Sequence, residues 1–357
     1  MKKALIAMSG GVDSSVAAYL IKEQRVDCVG VTMKLFENED VGIRRENTCC
    51  SLDDIEDARR VANRIGMPYY VLNFTDSFKE KVIDPFIGAY EHGLTPNPCI
   101  ECNRHLKFDR LFERAKEMEY DYVVTGHYAI SYYDEQKQRF MLKKAVDETK
   151  DQSYVLYAMT QEQLAHTIFP LGEMTKEKAR EIAEKNGFVN ARKQDSQDIC
   201  FVTNGTYAQF IEDYTGKTYP PGDFVNLHGE KLGEHKGIIH YTVGQRKGLG
   251  LSLCEPMYVT NVNPKLNQVV LGKNEDLFST ELEAKHINLI SVEQMTEPMR
   301  VKAKIRYSAK AAPATATQVS EDRIRIVFDE PQRAITKGQA VVMYDDAGNV
   351  VGGGTIV

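Results

Sequence analysis

Two groups of residues in this chain have the types and spacing to do chemistry. The first is Ser9-Gly10-Gly11-Val12-Asp13-Ser14-Ser15, which follows the apolar run Ala4 to Met8. Adjacent glycines let a backbone turn tightly and leave amide N–H groups facing an anion. A helix beginning behind the turn adds its positive N-terminal end. Ser9, Ser14 and Ser15 supply hydroxyl donors, and Asp13 is a candidate magnesium ligand. A bare pair of glycines would equally suit a plain strand-to-helix turn with a serine cap; the whole string is more specific. The lysine-bearing loop of kinase-like phosphate binders is absent, so γ-phosphate transfer is not indicated.

The second group is cysteine. Seven lie at positions 28, 49, 50, 99, 102, 200 and 254. An odd number in a long chain argues against a disulfide scaffold and for functional thiols in a reducing cytoplasm. Cys99 and Cys102 sit in a proline-stiffened loop, Thr95-Pro96-Asn97-Pro98-Cys99-Ile100-Glu101-Cys102, before a helix. Cys102 is near that helix start and near Arg104 and Lys107, and positive surroundings favour a thiolate. The two-residue gap also suits metal or redox chemistry. A closed zinc site would need a second gapped pair, and Cys49 and Cys50 are adjacent instead. Cys200, in Asp195-Ser196-Gln197-Asp198-Ile199-Cys200-Phe201, can meet Cys102 only through folding. Alone it reads as a small buried apolar residue.

The elements that must position these groups alternate. Lys3 to Met8 reads as a strand, about Asp13 to Glu23 as a helix and Val26 to Met33 as a second strand. A helix begins at Asp53 or Asp54 with Ile55, Ala58, Val61, Ala62 and Ile65 on one face, ended by Gly66 and Pro68. Tyr69 to Phe74 and Tyr120 to Tyr128 are further strands, separated by a helix stripe of Phe108, Leu111, Phe112, Ala115 and Met118. This repetition predicts an α/β domain with a parallel, Rossmann-like sheet over residues 1–205. The pattern then changes. Ile238 to Val243, Met257 to Val262 and Gln268 to Leu271 read as short strands of a small central adaptor, residues 206–275. Arg300 to Tyr307, Ala314 to Val319, Arg323 to Phe328 and Gln339 to Tyr344 predict a C-terminal β-barrel-like domain over 276–357.

Composition limits the partners. The chain has 357 residues, 42% apolar and 27% charged, with a net charge of −6. No apolar stretch approaches the roughly 20 residues of a membrane span, which excludes a membrane-spanning helix. The first residues only superficially look like a secretory leader, because the glycine turn ends the apolar run early. An acidic chain does not advertise nucleic acid, so RNA would need local basic patches. One is legible: in Arg300 to Tyr307, period two puts Lys302, Lys304 and Arg306 on one face and Val301, Ala303 and Ile305 on the other. A basic face can follow phosphates, and an edge strand guarded by charge would look the same. Gly244-Gln245-Arg246-Lys247-Gly248-Leu249-Gly250 is a second basic, glycine-rich loop.

In order along the chain stand SGGVDS, TPNPCIECN, VTGHYA, KDQSYVLY, SQDICF, HYTVGQRKGLG, FDEP and GGGTIV. Together they resemble the tRNA-specific 2-thiouridylases, within the N-type ATP pyrophosphatase (PP-loop) superfamily, nearly end to end. The resemblance implies ATP with magnesium, bound by Ala7, Met8, Ser9, Gly10, Gly11, Val12, Asp13, Ser14, Met33 and Gly126. From the residues alone, Met33 is core filler and Gly126 a turn glycine. It implies Cys102 as nucleophile and Cys200 as persulfide carrier, with a cysteine desulfurase or sulfur-relay protein as donor. It implies contact with tRNA by Asn97, Pro98, Cys99, His127, Lys150, Asp151, Gln152, Arg306, Tyr307 and Gln339. The implied reaction is ATP-dependent 2-thiolation of the wobble uridine by a cytoplasmic enzyme, and the base would have to leave its stack to be reached. One position departs: many relatives carry aspartate where this chain has Cys99, so an acid–base role is not carried over. Three thiolates, Cys99, Cys102 and Cys200, have the ligand types for an iron–sulfur cluster with one open iron site. Two other readings fit parts of the pattern: an ATP-dependent amidating ligase, which would need neither Cys102 nor Cys200, and an RNA-binding protein with an inert nucleotide loop.

Overall fold

The computed structural model describes residues 2–36, 52–195, 199–202, 205–252 and 254–357. Cys49 and Cys50, and Ser196, Gln197 and Asp198, lie outside the described residues.

Strand β1 (Lys3–Ala7) is apolar at every central position and is buried on both faces, as a middle strand of a parallel sheet must be. It pairs in parallel with β2 (Asp27–Lys34) on one side and β4 (Tyr122–Val124) on the other. β3 (Tyr69–Asn73) extends the sheet beyond β2, and β7 (Thr167–Ile168) extends it beyond β4. The order β3-β2-β1-β4-β7 reverses direction between β1 and β4. Crevices at such a switch point, outside the carboxyl ends of the strands, are where ligands bind in open α/β sheets. Helix α1 (Val12–Glu23) begins there, and α2 (Leu52–Arg64) packs beside it. An antiparallel hairpin, β5 (Ala129–Asp134) and β6 (Arg139–Lys144), leaves this domain toward the C-terminal barrel.

The strand expected over Tyr120 to Tyr128 ends at Val124, because Thr125, Gly126 and His127 turn toward α1. The helix with Phe108, Leu111, Phe112 and Ala115 buried is continuous with Pro98–Cys102 through a wide π stretch, Asn103–Arg110. π stretches often mark functional sites, and this one begins immediately after Cys102.

The middle domain is a four-stranded sheet in the order β10-β11-β8-β9, built from β8 (Gly222–Val225), β9 (Lys231–His235), β10 (Tyr258–Asn263) and β11 (Gln268–Gly272). The strand expected over Ile238 to Val243 is absent. Ile238–His240 is a 3-10 turn instead. The physical reason is its destination: Ile239 is fully buried in the core of the first domain, beside Ala208, Phe210 and Ile211 of helix Tyr207–Thr215. A short apolar run has no intrinsic preference between strand and plug.

The last domain is a closed barrel, β12-β15-β14-β13-β16-β17. Its strands are β12 (Phe278–Leu289), β13 (Met299–Lys304), β14 (Ala312–Ser320), β15 (Arg323–Arg333), β16 (Ala340–Tyr344) and β17 (Val350–Ile356). Alternation is visible on β13, where Val301 and Ala303 are buried and Lys302 is exposed. Gly352 and Gly353 have no room for a Cβ: one would fall 2.4 Å from the Asn288 carbonyl and 2.6 Å from the Tyr157 ring, respectively. The barrel seats on the first domain through one buried cluster that joins Ile100, Phe108, Tyr154 and Tyr157 to Ile290, Val342 and Tyr344.

Candidate active site

The loop after β1 is pinned from inside. Gly10 adopts φ +78°, and a Cβ there would lie 2.4 Å from the Asp54 carbonyl oxygen. Only glycine meets both conditions without strain. The Ser14 hydroxyl accepts from the Ser9 amide at 3.1 Å and donates to the Gly11 carbonyl at 3.1 Å, and Ser15 donates to the same carbonyl at 3.0 Å. Gly126 backs onto the start of α1, where a Cβ would be 2.6 Å from the Ser14 amide nitrogen. Met8 and Val12 are buried under the loop, and the Met8 carbonyl accepts from Thr32 at 2.6 Å. Met33 and Ala7 pack into the apolar cluster on the other side of the sheet.

Four charged or polar residues around this loop were not singled out from the sequence. The Asn190 amide donates to the Gly10 carbonyl at 2.8 Å and to the Ser15 hydroxyl at 2.9 Å. Lys193 bridges Asp54 at 2.5 Å and Asp57 at 2.7 Å. Lys176, 8% exposed, donates to both Asp13 oxygens at 2.8 and 2.7 Å and contacts Asp195 at 2.7 Å. Asp195 also holds Lys150 at 2.7 Å and Arg180 at 3.1 Å. Burial would raise the Asp195 carboxyl, but Lys150 and Lys176 outweigh it and hold the group at about 2. Asp13 therefore already has partners, Lys176 and the Tyr128 hydroxyl at 2.9 Å. Lys193 and Asp195 stand just upstream of Cys200 in sequence, a signal that could have drawn attention to them. Asn190 and Lys176 carried none.

Cys102 is buried and belongs to the apolar cluster of the first domain, with Phe78, Phe201, Met33 and Phe36. Cys200, half-buried, packs against the same cluster. Cys102, Cys200 and Met33 thus all border the same apolar cluster. Phe201 is anchored by edge-on contacts with Phe78 and Phe86, at centroid distances of 5.7 and 5.2 Å. Arg104, expected beside Cys102, spends its guanidinium on Glu101 and the Tyr157 hydroxyl, each at 3.4 Å. Cys99 is exposed where Cys102 is buried. Among the described residues, no three His, Cys, Asp or Glu side chains form a group that could hold a metal ion.

A third set meets at the seam with the barrel. The Asn97 side chain caps the helix Pro98–Cys102 by accepting from the Cys99 amide at 3.1 Å. Gln339 donates to the Thr95 carbonyl at 2.9 Å, and the Thr95 amide donates to the Lys337 carbonyl at 2.9 Å. The Tyr307 hydroxyl donates to the Asp151 carbonyl at 3.3 Å while the residue stays 44% exposed. Lys304 lies over the Tyr154 and Tyr307 rings at 5.6 and 5.3 Å, and burial lowers its ammonium pKa. Asn97, Pro98, Cys99, Tyr307 and Gln339, from three distant segments, thus border one seam. Arg306 continues it, donating to the Arg333 carbonyl at 3.5 Å.

Others of the expected RNA contacts face inward. His127 is buried between Phe108 and Phe169 and shares a 2.8 Å hydrogen bond with Thr125; burial, then Lys107, lowers its pKa well below the ordinary value. Asp151 accepts from the Ser153 amide and hydroxyl at 3.1 and 3.0 Å. Gln152 accepts from the Tyr128 amide at 2.9 Å. Lys150 is turned toward Asp195.

A glycine loop at the switch point of a parallel sheet, followed by a small four-stranded sheet and a closed barrel, defines a three-part protein with a Rossmann-like first domain. Family models match throughout: the tRNA methyl transferase HUP domain at residues 2–204, the tRNA methyl transferase PRC-barrel domain at 208–273 and the aminomethyltransferase beta-barrel domain at 279–356. Curated relatives are similar over the full length. The tRNA-specific 2-thiouridylase MnmA of Clostridioides difficile (strain 630) is 56% identical, covering 100% of this chain and 98% of its own. That of Clostridium botulinum (strain Alaska E43 / Type E3) is 51% identical with the same coverage. MnmA 1 of Thermoanaerobacter sp. (strain X514) is 52% identical, covering 99% and 97%. The chain belongs to the tRNA-specific 2-thiouridylase family. The HUP-domain description speaks of methyl transfer, but identity above one half along whole chains outweighs a domain label. No helix among the described residues is long and apolar enough to cross a membrane.

Proposed function

We propose that this protein is a cytoplasmic tRNA-uridine 2-sulfurtransferase that uses ATP to replace the C2 oxygen of the wobble uridine with sulfur. What supports the reading is that Cys102 and Cys200 border one apolar cluster, which also holds Met33 and is flanked by Ala7 at the end of β1. An amidating ligase would have no use for two thiols there.

The chemistry follows from leaving groups. A carbonyl oxygen leaves poorly. Attack by uridine O2 on the α-phosphorus of ATP expels pyrophosphate and makes that oxygen part of AMP. The loop amides and the start of α1 would hold the phosphates, and magnesium, when bound, would neutralise part of their charge. The terminal sulfur of a Cys200 persulfide then attacks C2, and AMP leaves with the oxygen. Cys102 thiolate attacks the Cys200 sulfur, releasing 2-thiouridine and leaving a Cys102–Cys200 disulfide. The order can also be reversed, with Cys102 first freeing sulfide that attacks C2; the products are the same. Two electrons from an external thiol reopen the disulfide, and a desulfurase or sulfur-relay protein reloads Cys200. Burial around Cys102 favours this scheme by keeping water from the activated base. The tRNA would lie along the seam of Asn97, Pro98, Tyr307, Arg306 and Gln339.

The test is incubation with unmodified tRNA, ATP, magnesium and a persulfide donor, scored for 2-thiouridine and AMP. The parent should form both. Cys102→Ser and Cys200→Ser should each abolish 2-thiouridine while tRNA affinity stays within about threefold of the parent, a difference of under 1 kcal/mol. Product at the parent rate from either variant overturns the scheme.

A further inference from the structure

The basic loop of residues 244–250 has no part in the reaction scheme above, yet it is held firmly in place. Gly244, Gly248 and Gly250 all take positive φ, at +90°, +75° and +71°, where a side chain would be strained. The Gln245 side chain accepts from the Thr242 amide at 3.1 Å and donates to the Lys247 carbonyl at 3.1 Å, tying the turn across its middle. Leu249 is buried in the core of the middle domain. Arg246 and Lys247, between these anchors, are exposed. The loop also touches the last domain. A Cβ at Gly244 would lie 3.0 Å from the Ala334 side chain and 3.8 Å from the Arg333 guanidinium. Arg333 lies over the Tyr258 ring at 5.1 Å and donates to Asn274 at 3.0 Å, and its carbonyl accepts from Arg306 at 3.5 Å. The chain runs on from Ala334 to Lys337 and Gln339, which both meet Thr95 at the seam. Five residue steps link Ala334 to Gln339, so the foot of the loop and the seam are at most about 18 Å apart.

We propose that Arg246 and Lys247 bind backbone phosphates of a tRNA stem, at the far end of a positive track that runs from the seam through Arg306 and Arg333 onto the middle domain. This rests on the tRNA-modifying reading above. Ion pairing separates these cations from their neighbours. Lys231, Lys273, Arg300 and Lys302 are each engaged by a carboxylate. Arg306 and Arg333 have neutral partners instead, and among the described residues no carboxylate pairs with Arg246 or Lys247. A chain of net charge −6 does not attract RNA as a whole, so cations left unpaired along one line decide where a phosphate backbone can lie. Phosphate contacts fix register and orientation without reading sequence. A second point of attachment beyond the seam therefore sets the angle of the stem, while Asn97, Tyr307 and Gln339 meet the loop that carries the target base. The guanidinium fork of Arg246 matches phosphate oxygens, and Lys247 adds a point charge beside it. An acidic protein could use the same two cations; their continuity with the seam favours RNA.

The experiment is filter binding of unmodified tRNA to the full chain over a range of salt concentrations. In the parent, the logarithm of affinity should fall linearly with the logarithm of salt. Arg246→Gln and Lys247→Gln should each make that slope shallower by about one, and the double variant by about two. At 0.1 M salt the double variant should bind at least about tenfold more weakly than the parent. Lys231→Gln removes an exposed lysine of the same domain that carboxylates already hold, and should change affinity less than about twofold. Arg246→Glu and Lys247→Glu are the second probe: reversing the charge should weaken binding further than neutralising it, which loss of a packing contact would not do. Parent affinity and parent slope in the double variant overturn the track and leave the sulfurtransferase reading intact. Weaker binding with an unchanged slope also overturns it, because the lost contact was then not to phosphate. Unchanged tRNA binding with slower reloading of Cys200 by a persulfide donor protein assigns the loop to that protein and overturns the RNA track. A parent that binds no tRNA and forms no 2-thiouridine removes the functional reading itself.

Discussion

Asp195 and Asp329 each hold an arginine, and they do so in opposite circumstances. Asp195 sits three-quarters buried among Lys150 and two cations of one helix turn, Lys176 and Arg180. Asp329 lies half-exposed on the barrel wall and grips Arg300 alone, at 2.8 and 2.6 Å. Both pairs have good geometry. Their surroundings differ: around Asp195 the charges are partly withdrawn from water and tie Asp13 of the glycine loop to the helix Lys176–Lys185, whereas Arg300 and Asp329 exchange solvent for each other at little net gain. Good hydrogen-bond distances therefore do not tell which charges this protein depends on. Connection to several segments, and exclusion of water, does.

The sharpest way to break that contrast is at the pinned end of the molecule. Gly10→Ala would force a side chain into φ +78° and against the Asp54 carbonyl, 2.4 Å away. The loop must then shift off α2, and the amides proposed to hold the phosphates move with it. A displacement near 1 Å at a reacting centre can lower turnover by about 10²-fold. AMP formation by Gly10→Ala should fall at least that far, read in the thiolation assay, while the barrel retains its fold by circular dichroism. AMP formation near the parent rate would mean the loop is not rigidly held and the contrast is false.

Much of this arrangement was legible in the sequence, and the reason is locality. The glycine loop, its strand and its helix are consecutive, so residues 9 to 15 display their own geometry. Period two on β13 likewise marks Val301 and Ala303 as inward. What stayed hidden depends on folding. Lys176 shows nothing in its own stretch, because its partners lie at 13 and 195. Asn190 satisfies the Gly10 carbonyl from 180 positions away. The Ile238 to Val243 run was misread because apolar side chains that plug a domain interface look, over six residues, like those of a strand. That Cys102 and Cys200 border one apolar cluster could not be read from the residues either, for the same reason.

A middle-sized effect is expected at His127. Its imidazole is enclosed by Phe108, Phe169 and Thr125, and burial depresses its folded pKa below the unfolded value of about 6.5. The sign follows directly. Above about pH 6.5 both states are neutral at this site and its contribution is fully present. As pH falls below that value the unfolded chain takes up a proton that the folded chain refuses, so stability declines. One proton sets a limit of about 1.4 kcal/mol per pH unit. Urea unfolding between pH 8 and pH 5 should show a smaller acid-side slope in His127→Gln than in the parent. An unchanged slope would assign the acid sensitivity to other groups and remove His127 from the pinned end.

The smallest effect belongs to the barrel wall. Removing Arg300, Asp329 or both should leave the urea midpoint and the thiolation rate unchanged within error, and the double variant should match the sum of the singles. The reasoning is that each side chain returns to water when its partner goes, so no buried charge is left behind. Arg300 stands two residues from Lys302 on the same face of β13, and Lys302 is itself engaged by Asp346 at 3.1 Å. If the proposed tRNA path is right, these ion pairs leave Lys304 and Arg306, near Tyr307, as the basic groups of this segment that are open to phosphate. Weaker tRNA binding by Arg300→Ala than by Arg306→Ala, measured by filter binding at two salt concentrations, would reverse that assignment. It would extend the RNA path onto the wall, and Asp329 would then be a guard that tRNA displaces.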